Sequence, residues 1–177
     1  ELDAPLPPPF DRACPGARLV DLLTHRAGLH AHREYFSGKS PGQAERVLED
    51  LLRTPRAAAV GEQTVYSDLG FILLGAWLER HFDRPLDECF DQKIARRLML
   101  DMGQPPRLAY RRLSREAWLR RDHETRVAPT EVYDRSLHDE APSWFALRES
   151  DSLAHGRVHD DNCFVMDGVG GHAGLFG

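Results

Sequence analysis

The chain has 177 residues, 41% hydrophobic and 29% charged, which suits one soluble globular domain or a large piece of one. Its formal net charge of -5 leaves no basic patch and argues against a nucleic-acid partner. The longest apolar run, Phe71 to Leu78, is too short to span a bilayer.

No signal or transit peptide pattern is visible. The residues open at Glu1 without a methionine and close on the apolar segment Gly171-His172-Ala173-Gly174-Leu175-Phe176-Gly177. The chain therefore reads as a piece of a longer protein. Its three cysteines, Cys14, Cys89 and Cys163, are odd in number and widely spaced, with no C-x-x-C pair. That argues against a zinc cage or disulfide framework and for buried or incidental thiols.

In chain order, Glu1 to Pro15 is proline-rich and reads as an extended, irregular arm. Ala17 to His25 reads as a short helix, with Gly28 placed to end it in the left-handed conformation. His25 then stands at the helix C-terminus, either as the wall of a site or as a cap and core hydrogen-bonder. Ser40-Pro41-Gly42-Gln43 carries a helix-start signature, with Ser40 as cap, Pro41 as first residue and Gln43 as the reciprocal partner. Val47, Leu48, Leu51 and Leu52 give that helix one apolar face, and Pro55 stops it.

A loop leads into Tyr66-Ser67-Asp68-Leu69-Gly70, followed by Phe71-Ile72-Leu73-Leu74-Gly75-Ala76-Trp77-Leu78-Glu79. Apolar residues recur there at helical spacing around nearly the whole circumference, which predicts a buried helix capped by Ser67 or Asp68. Tyr66 is then held at the mouth of a rigid element, facing the positive end of the helix dipole. The competing reading is a tyrosine that merely packs over a helix end.

Pro85 should open another helix, through Leu86, Cys89, Phe90, Ile94 and Leu98, ending near Asp101 to Pro106. Ser114 to Leu119 suggests a further short helix, and Val127 to Glu131 an extended segment. Residues 133–153 read as a surface loop or insertion. No repeat or composition shift divides the chain, so residues 1–177 read as one partial domain.

Three readings compete for the last stretch. His155 and His159 stand four apart, near Asp160, Asp161 and His172, and could serve a metal-dependent hydrolase. Gly168 and Gly170 could cradle a phosphate, but the third glycine of G-x-G-x-x-G is missing. The structural reading is a capped turn followed by a tight backbone crossing where only glycine fits.

Taken together, the motifs resemble the serine β-lactamase-related family. That family contains class C β-lactamases, low-molecular-weight penicillin-binding proteins (D-alanyl-D-alanine carboxypeptidases) and related esterases. Leu22-Leu23-Thr24-His25-Arg26-Ala27-Gly28-Leu29 resembles its L-L-T-H-T-S-G-L segment, and Tyr66-Ser67-Asp68 its Y-x-N block. Val127 to Glu131, Val158 to Asn162 and Gly170 to Phe176 resemble A-P-T-E, V-H-D-E-N and G-H-A-G-L-F segments of one branch. The five matches fall in the family's order. The resemblance implies a mainly α-helical fragment of the β-lactamase/DD-peptidase-like fold, whose complete α+β parent pairs an antiparallel sheet with a helical subdomain.

It also implies a serine hydrolase that attacks a peptide, ester or β-lactam carbonyl through an acyl-serine intermediate. Tyr66 matches the family's proton-handling tyrosine. Asp68 stands where the family has asparagine, and an ionised aspartate can only accept hydrogen bonds. The family's S-x-x-K is absent from these residues, since Ser37-Gly38-Lys39 has the wrong spacing. The nucleophile should therefore lie outside this chain, and the chain alone should be inactive. His172-Ala173-Gly174 fits the family's third motif, H-x-G, in letters, but its position suits the glycine-rich crossing better. The implied substrate is a small molecule or a peptidoglycan-like peptide, with no cofactor, in a bacterial envelope or the cytoplasm. The rival reading is a non-catalytic relative that keeps the scaffold as a binding module.

Overall fold

A computed structural model describes residues 2–100, 108–114, 129–132 and 153–176. The described elements are mainly helical. They are α1 (Leu19–Leu23), α2 (Ala44–Arg53), α3 (Asp68–Phe82), α4 (Leu86–Phe90) and α5 (Asp161–Val165). Four short strands, β1 (Ala109–Tyr110), β2 (Pro129–Val132), β3 (Leu153–His155) and β4 (Leu175–Phe176), form two antiparallel pairs. Ala109 faces Phe176 and Tyr110 faces Leu175 in one pair; Pro129 faces His155 and Val132 faces Leu153 in the other. No helix among the described residues is long and apolar enough to cross a membrane.

The buried helix expected after Tyr66 is α3, and it is the hub of the packing. Helices α1, α2 and α4 all pack on it. Leu69, Ile72 and Leu73 are fully enclosed, among Leu22 of α1, Val47 and Leu51 of α2 and Val165 of α5. Such enclosed aliphatic side chains each contribute about 1.5–3 kcal/mol of transfer free energy. An open apolar groove of about 650 Å³ runs beside α3 and is rimmed by Leu23, Phe71, Leu74, Trp77 and Phe82.

The amino-terminal arm is more structured than its prolines suggest. It turns through a 3-10 helix at Phe10–Arg12 and buries Leu6, Phe10, Ala13 and Cys14. Its backbone pairs with the entry to α1, where the Leu6 N–H donates to the Ala17 carbonyl at 3.1 Å and the Leu19 N–H to Ala4 at 3.3 Å. Asp21 fastens the start of α1 by accepting from the Arg18 backbone N–H at 2.8 Å and from its Nε at 3.1 Å. The Arg18 hydrogen bond holds the Asp21 carboxyl below the usual carboxylate range.

Three helix boundaries differ from the expectation. Helix α1 ends at Leu23, and the left-handed residue next to its end is His25, at φ 57°, rather than Gly28. Gly28 is also left-handed, but it serves a backbone crossing, where an added Cβ would lie 2.3 Å from the Ala58 carbonyl oxygen. Helix α2 starts at Ala44, not at Pro41, because Gly42 at φ 86° breaks any earlier turn. The Ser40 hydroxyl is used instead as acceptor for the Gln43 Nε2 at 2.9 Å. Beyond α4, residues Asp91–Ala95 form a π-helical turn. Its wider spacing rotates the apolar face, so Ala95 points inward while Ile94 and Leu98 are 43% and 63% exposed.

The last glycines make the tight crossing. Gly171 lies on α3 so closely that a Cβ there would sit 2.1 Å from the Phe71 carbonyl oxygen, and one on Gly75 would sit 2.9 Å from the Gly171 nitrogen. A forked pair locks the neighbouring segment, with Arg112 donating to both Asp87 oxygens at 2.7 Å. Asp167 accepts from the Ser114 backbone N–H at 2.7 Å and its hydroxyl at 2.6 Å. The three cysteines are free and buried, as expected for incidental thiols, and burial pushes the Cys14 thiol up to about 11. Of the helix expected over Ser114 to Leu119 only Ser114 lies among the described residues. The loop expected over 133–153 lies outside them except for Leu153, which begins β3.

The crossing predicts the cost of filling it. Gly171→Ala should lower unfolding stability by about 1–3 kcal/mol, the usual range for overpacking, measured by urea denaturation. An unchanged denaturation midpoint would contradict the close backbone approach.

Candidate active site

Helix α3 begins in a way that fixes Tyr66. Ser67 is the cap, settling the choice between Ser67 and Asp68. Its hydroxyl accepts from the Gly70 N–H at 3.3 Å and donates to the His30 carbonyl at 2.7 Å. Asp68 is the first helical residue, where a carboxylate suits the positive end of the helix. Its backbone N–H donates to the Ala31 carbonyl at 3.0 Å, so the 30–31 loop is tied twice to the start of α3.

Tyr66 itself is 74% exposed, with its phenol in the open. The ring rests on His25, with ring centroids 4.6 Å apart and planes tilted by 38°. The His25 ring also meets Phe71, with centroids 5.2 Å apart. Asp68 pairs with His32, whose Nδ1 lies 3.2 Å from the Asp68 Oδ2. Tyr66 and Asp68 therefore share the mouth of α3, with imidazoles beside each of them. No motif or residue spacing marks His32. His25 was marked by its place at the end of α1, but its contact with Tyr66 was not legible.

A second polar cluster lies in the segment that carries the glycine crossing. Asp160 caps α5 by accepting from the Cys163 N–H at 2.7 Å, and its Oδ1 also lies 2.9 Å from the His172 Nε2. Burial opposes the Asp160 charge, yet the His172 contact, the Cys163 N–H and the nearby His32 outweigh it and hold the carboxyl below its ordinary value. Asn162 is fully buried, accepting from the Tyr35 N–H at 2.9 Å and donating to the Arg33 carbonyl at 2.8 Å. It thus joins α5 to the loop that also supplies His32.

Among the described residues no three metal-ligating side chains come together, and the His155 side chain of the expected metal cluster lies outside them. The His172 Nε2 is committed to Asp160. The H-x-G letters of His172-Ala173-Gly174 form a bend ahead of β4 rather than part of a strand, with Gly174 at φ 99°. The glycines of the phosphate reading spend their N–H groups within the fold, Gly168 donating to the Cys163 carbonyl at 2.9 Å and Gly170 to the Ala173 carbonyl at 3.2 Å.

The family model named Beta-lactamase matches residues 1–177. The chain belongs to the beta-lactamase family. Among similar proteins, the "N-acetylmuramyl-L-alanine amidase" of Bacillus subtilis (strain 168) is 29% identical over 167 residues, covering 90% of this chain and 34% of the relative. A protein named "Putative D-alanyl-D-alanine carboxypeptidase" from Escherichia coli (strain K12) is 31% identical over 165 residues, covering 90% of this chain and 35% of the relative. Its namesake in Salmonella newport (strain SL254) is 28% identical over 169 residues, again covering 90% and 35%. The chain thus spans about a third of the length of the curated relatives it matches. All three relatives carry hydrolase names.

The Asp160 cluster makes a pH prediction. A carboxyl held low in the folded state adds stability above its unfolded pKa of about 3.9, and that stability is lost as pH falls through the folded value. Asn at this position keeps the cap but cannot titrate. Urea denaturation between neutral pH and about pH 3 should therefore show a shallower acid loss in Asp160→Asn than in the parent sequence. Equal slopes would contradict the assigned cause.

Proposed function

We propose that this chain is the tyrosine-bearing part of a serine hydrolase that acts on a peptide, ester or β-lactam carbonyl through an acyl-serine. The observation that carries the reading is the setting of Tyr66: an exposed phenol on a hydrogen-bonded backbone at the mouth of the helix on which α1, α2 and α4 pack. Membership of the beta-lactamase family and the amidase and carboxypeptidase names of the relatives support it. Those names also favour a peptide of the peptidoglycan type as substrate.

The chemistry needs a base that is held in place and can return its proton. A serine hydroxyl supplied from outside these 177 residues attacks the carbonyl carbon. Tyr66, as phenolate, takes the hydroxyl proton while the new C–O bond forms. The bond to the leaving amine or alcohol then breaks, and the Tyr66 proton passes to that group. Water repeats the sequence to release the acid and regenerate serine. A phenol has an ordinary pKa of about 10, so a nearby cation must favour its anion. In this reading Asp68 lines the same mouth and accepts from substrate or holds that cation, a role the family gives to asparagine only in part, since the amide can also donate.

A second reading is a scaffold that binds without turnover, and a full-length sequence without S-x-x-K would favour it. One variant separates them. Tyr66→Phe in the full-length protein should lower acylation by a chromogenic ester by roughly 10²–10⁴, the scale of general acid–base catalysis. An unchanged acylation rate would overturn the role of Tyr66, and a full-length protein that no ester acylates would favour the binding module.

A further inference from the structure

We propose that His25 is the positioning residue for Tyr66. This inference rests on the reading above, in which Tyr66 moves the proton.

Four contacts converge on the one residue. The His25 carbonyl accepts from the Val65 N–H at 3.0 Å. Its ring Nδ1 accepts from the Ser67 N–H at 3.0 Å. The residues on either side of Tyr66 are thus both tied to His25, while the Tyr66 ring lies over the imidazole at 4.6 Å. Phe71, one turn into α3, also meets the imidazole, with ring centroids 5.2 Å apart. Tyr66 is otherwise exposed, so little else in the described residues fixes the direction of its phenol.

The backbone shows the same commitment. His25 is left-handed at φ 57°, a conformation that residues with a Cβ adopt only uncommonly. That conformation turns the chain at the end of α1 and sends the ring back under Tyr66. An accepting Nδ1 also requires a neutral ring with its proton on Nε2, because a protonated Nδ1 would face the Ser67 N–H donor to donor. A cap at the end of α1 would need neither the ring contact nor the Ser67 bond. The arrangement acts through Tyr66, so its effect belongs in kcat rather than in KM.

The two contacts can be removed separately. His25→Asn tolerates the left-handed backbone and keeps a side-chain acceptor for Ser67, but has no ring. His25→Phe keeps a ring and loses the acceptor. His25→Ala loses both. In the full-length protein, His25→Ala should lower kcat for ester hydrolysis on the order of 10²-fold, the scale of a misplaced catalytic group, with KM nearly unchanged. His25→Asn and His25→Phe should fall between His25→Ala and the parent. The ¹³C-tyrosine NMR spectrum provides a readout independent of activity, since the Tyr66 ring resonances should lose their ring-current displacement in His25→Asn and His25→Ala.

Tyr66→Phe is run alongside. If Tyr66→Phe is impaired and His25→Ala shows parent kcat with the Tyr66 resonances still at their parent positions, His25 only ends α1 and the positioning role is overturned. If Tyr66→Phe is itself fully active, the functional reading fails, and the NMR comparison still reports whether His25 fixes the ring. If His25→Phe does not fold, His25→Asn alone decides between the two outcomes.

Discussion

The Ser67 hydroxyl makes two hydrogen bonds at one point: it donates to the His30 carbonyl and accepts from the Gly70 N–H. The second bond satisfies one of the orphan donors that any helix leaves in its first turn. The first joins that helix to the loop that follows α1. Remove the hydroxyl and the start of α3 keeps the Asp68 N–H bond to Ala31 and the Asp68–His32 pair as its ties to that loop. The apolar circumference of α3 does the rest, because α1, α2 and α4 all bury their faces on it. The mouth of α3 is therefore tied directly to the packed core behind it.

A second restraint comes from far along the chain. The Gly171 backbone rests on Phe71 and Gly75 of α3 with no room for a side chain. Asp160, Asn162 and His172 hold the approach to that crossing, and Asn162 reaches across to the Arg33–Tyr35 backbone. The segment of residues 158–174 thus braces both α3 and the loop carrying His32. A close backbone crossing of this kind tolerates little shift, so the two ends of the described chain keep the same mouth in register.

The sequence made the helix after Tyr66 legible, because a long apolar run with a serine ahead of it has few other solutions. The glycine crossing was also legible as a structural feature, though not which helix it would touch. Other features were decided by contacts far apart in the chain. The start of α2 moved because Gly42 took a left-handed turn and the Ser40 hydroxyl found a side-chain donor. The apolar spacing at Ile94 and Leu98 misled because a π-helical turn rotated it outward. The strands are two to four residues long, too short to carry a period-2 pattern. At the site, Tyr66 and Asp68 could be picked out by their block and His25 by its place at the end of α1, but no local pattern marks His32 or the contact of His25 with Tyr66.

The central claim is that an acyl-serine forms outside these residues and is served by Tyr66 from within them. The most direct measurement is mass spectrometry of the full-length protein after exposure to a penicillin and to an aryl phosphonate, with peptide mapping of any adduct. The account predicts one adduct, on a serine outside residues 1–177, formed much more slowly after Tyr66→Phe. An adduct on a serine of this chain, or none with either reagent, would contradict it.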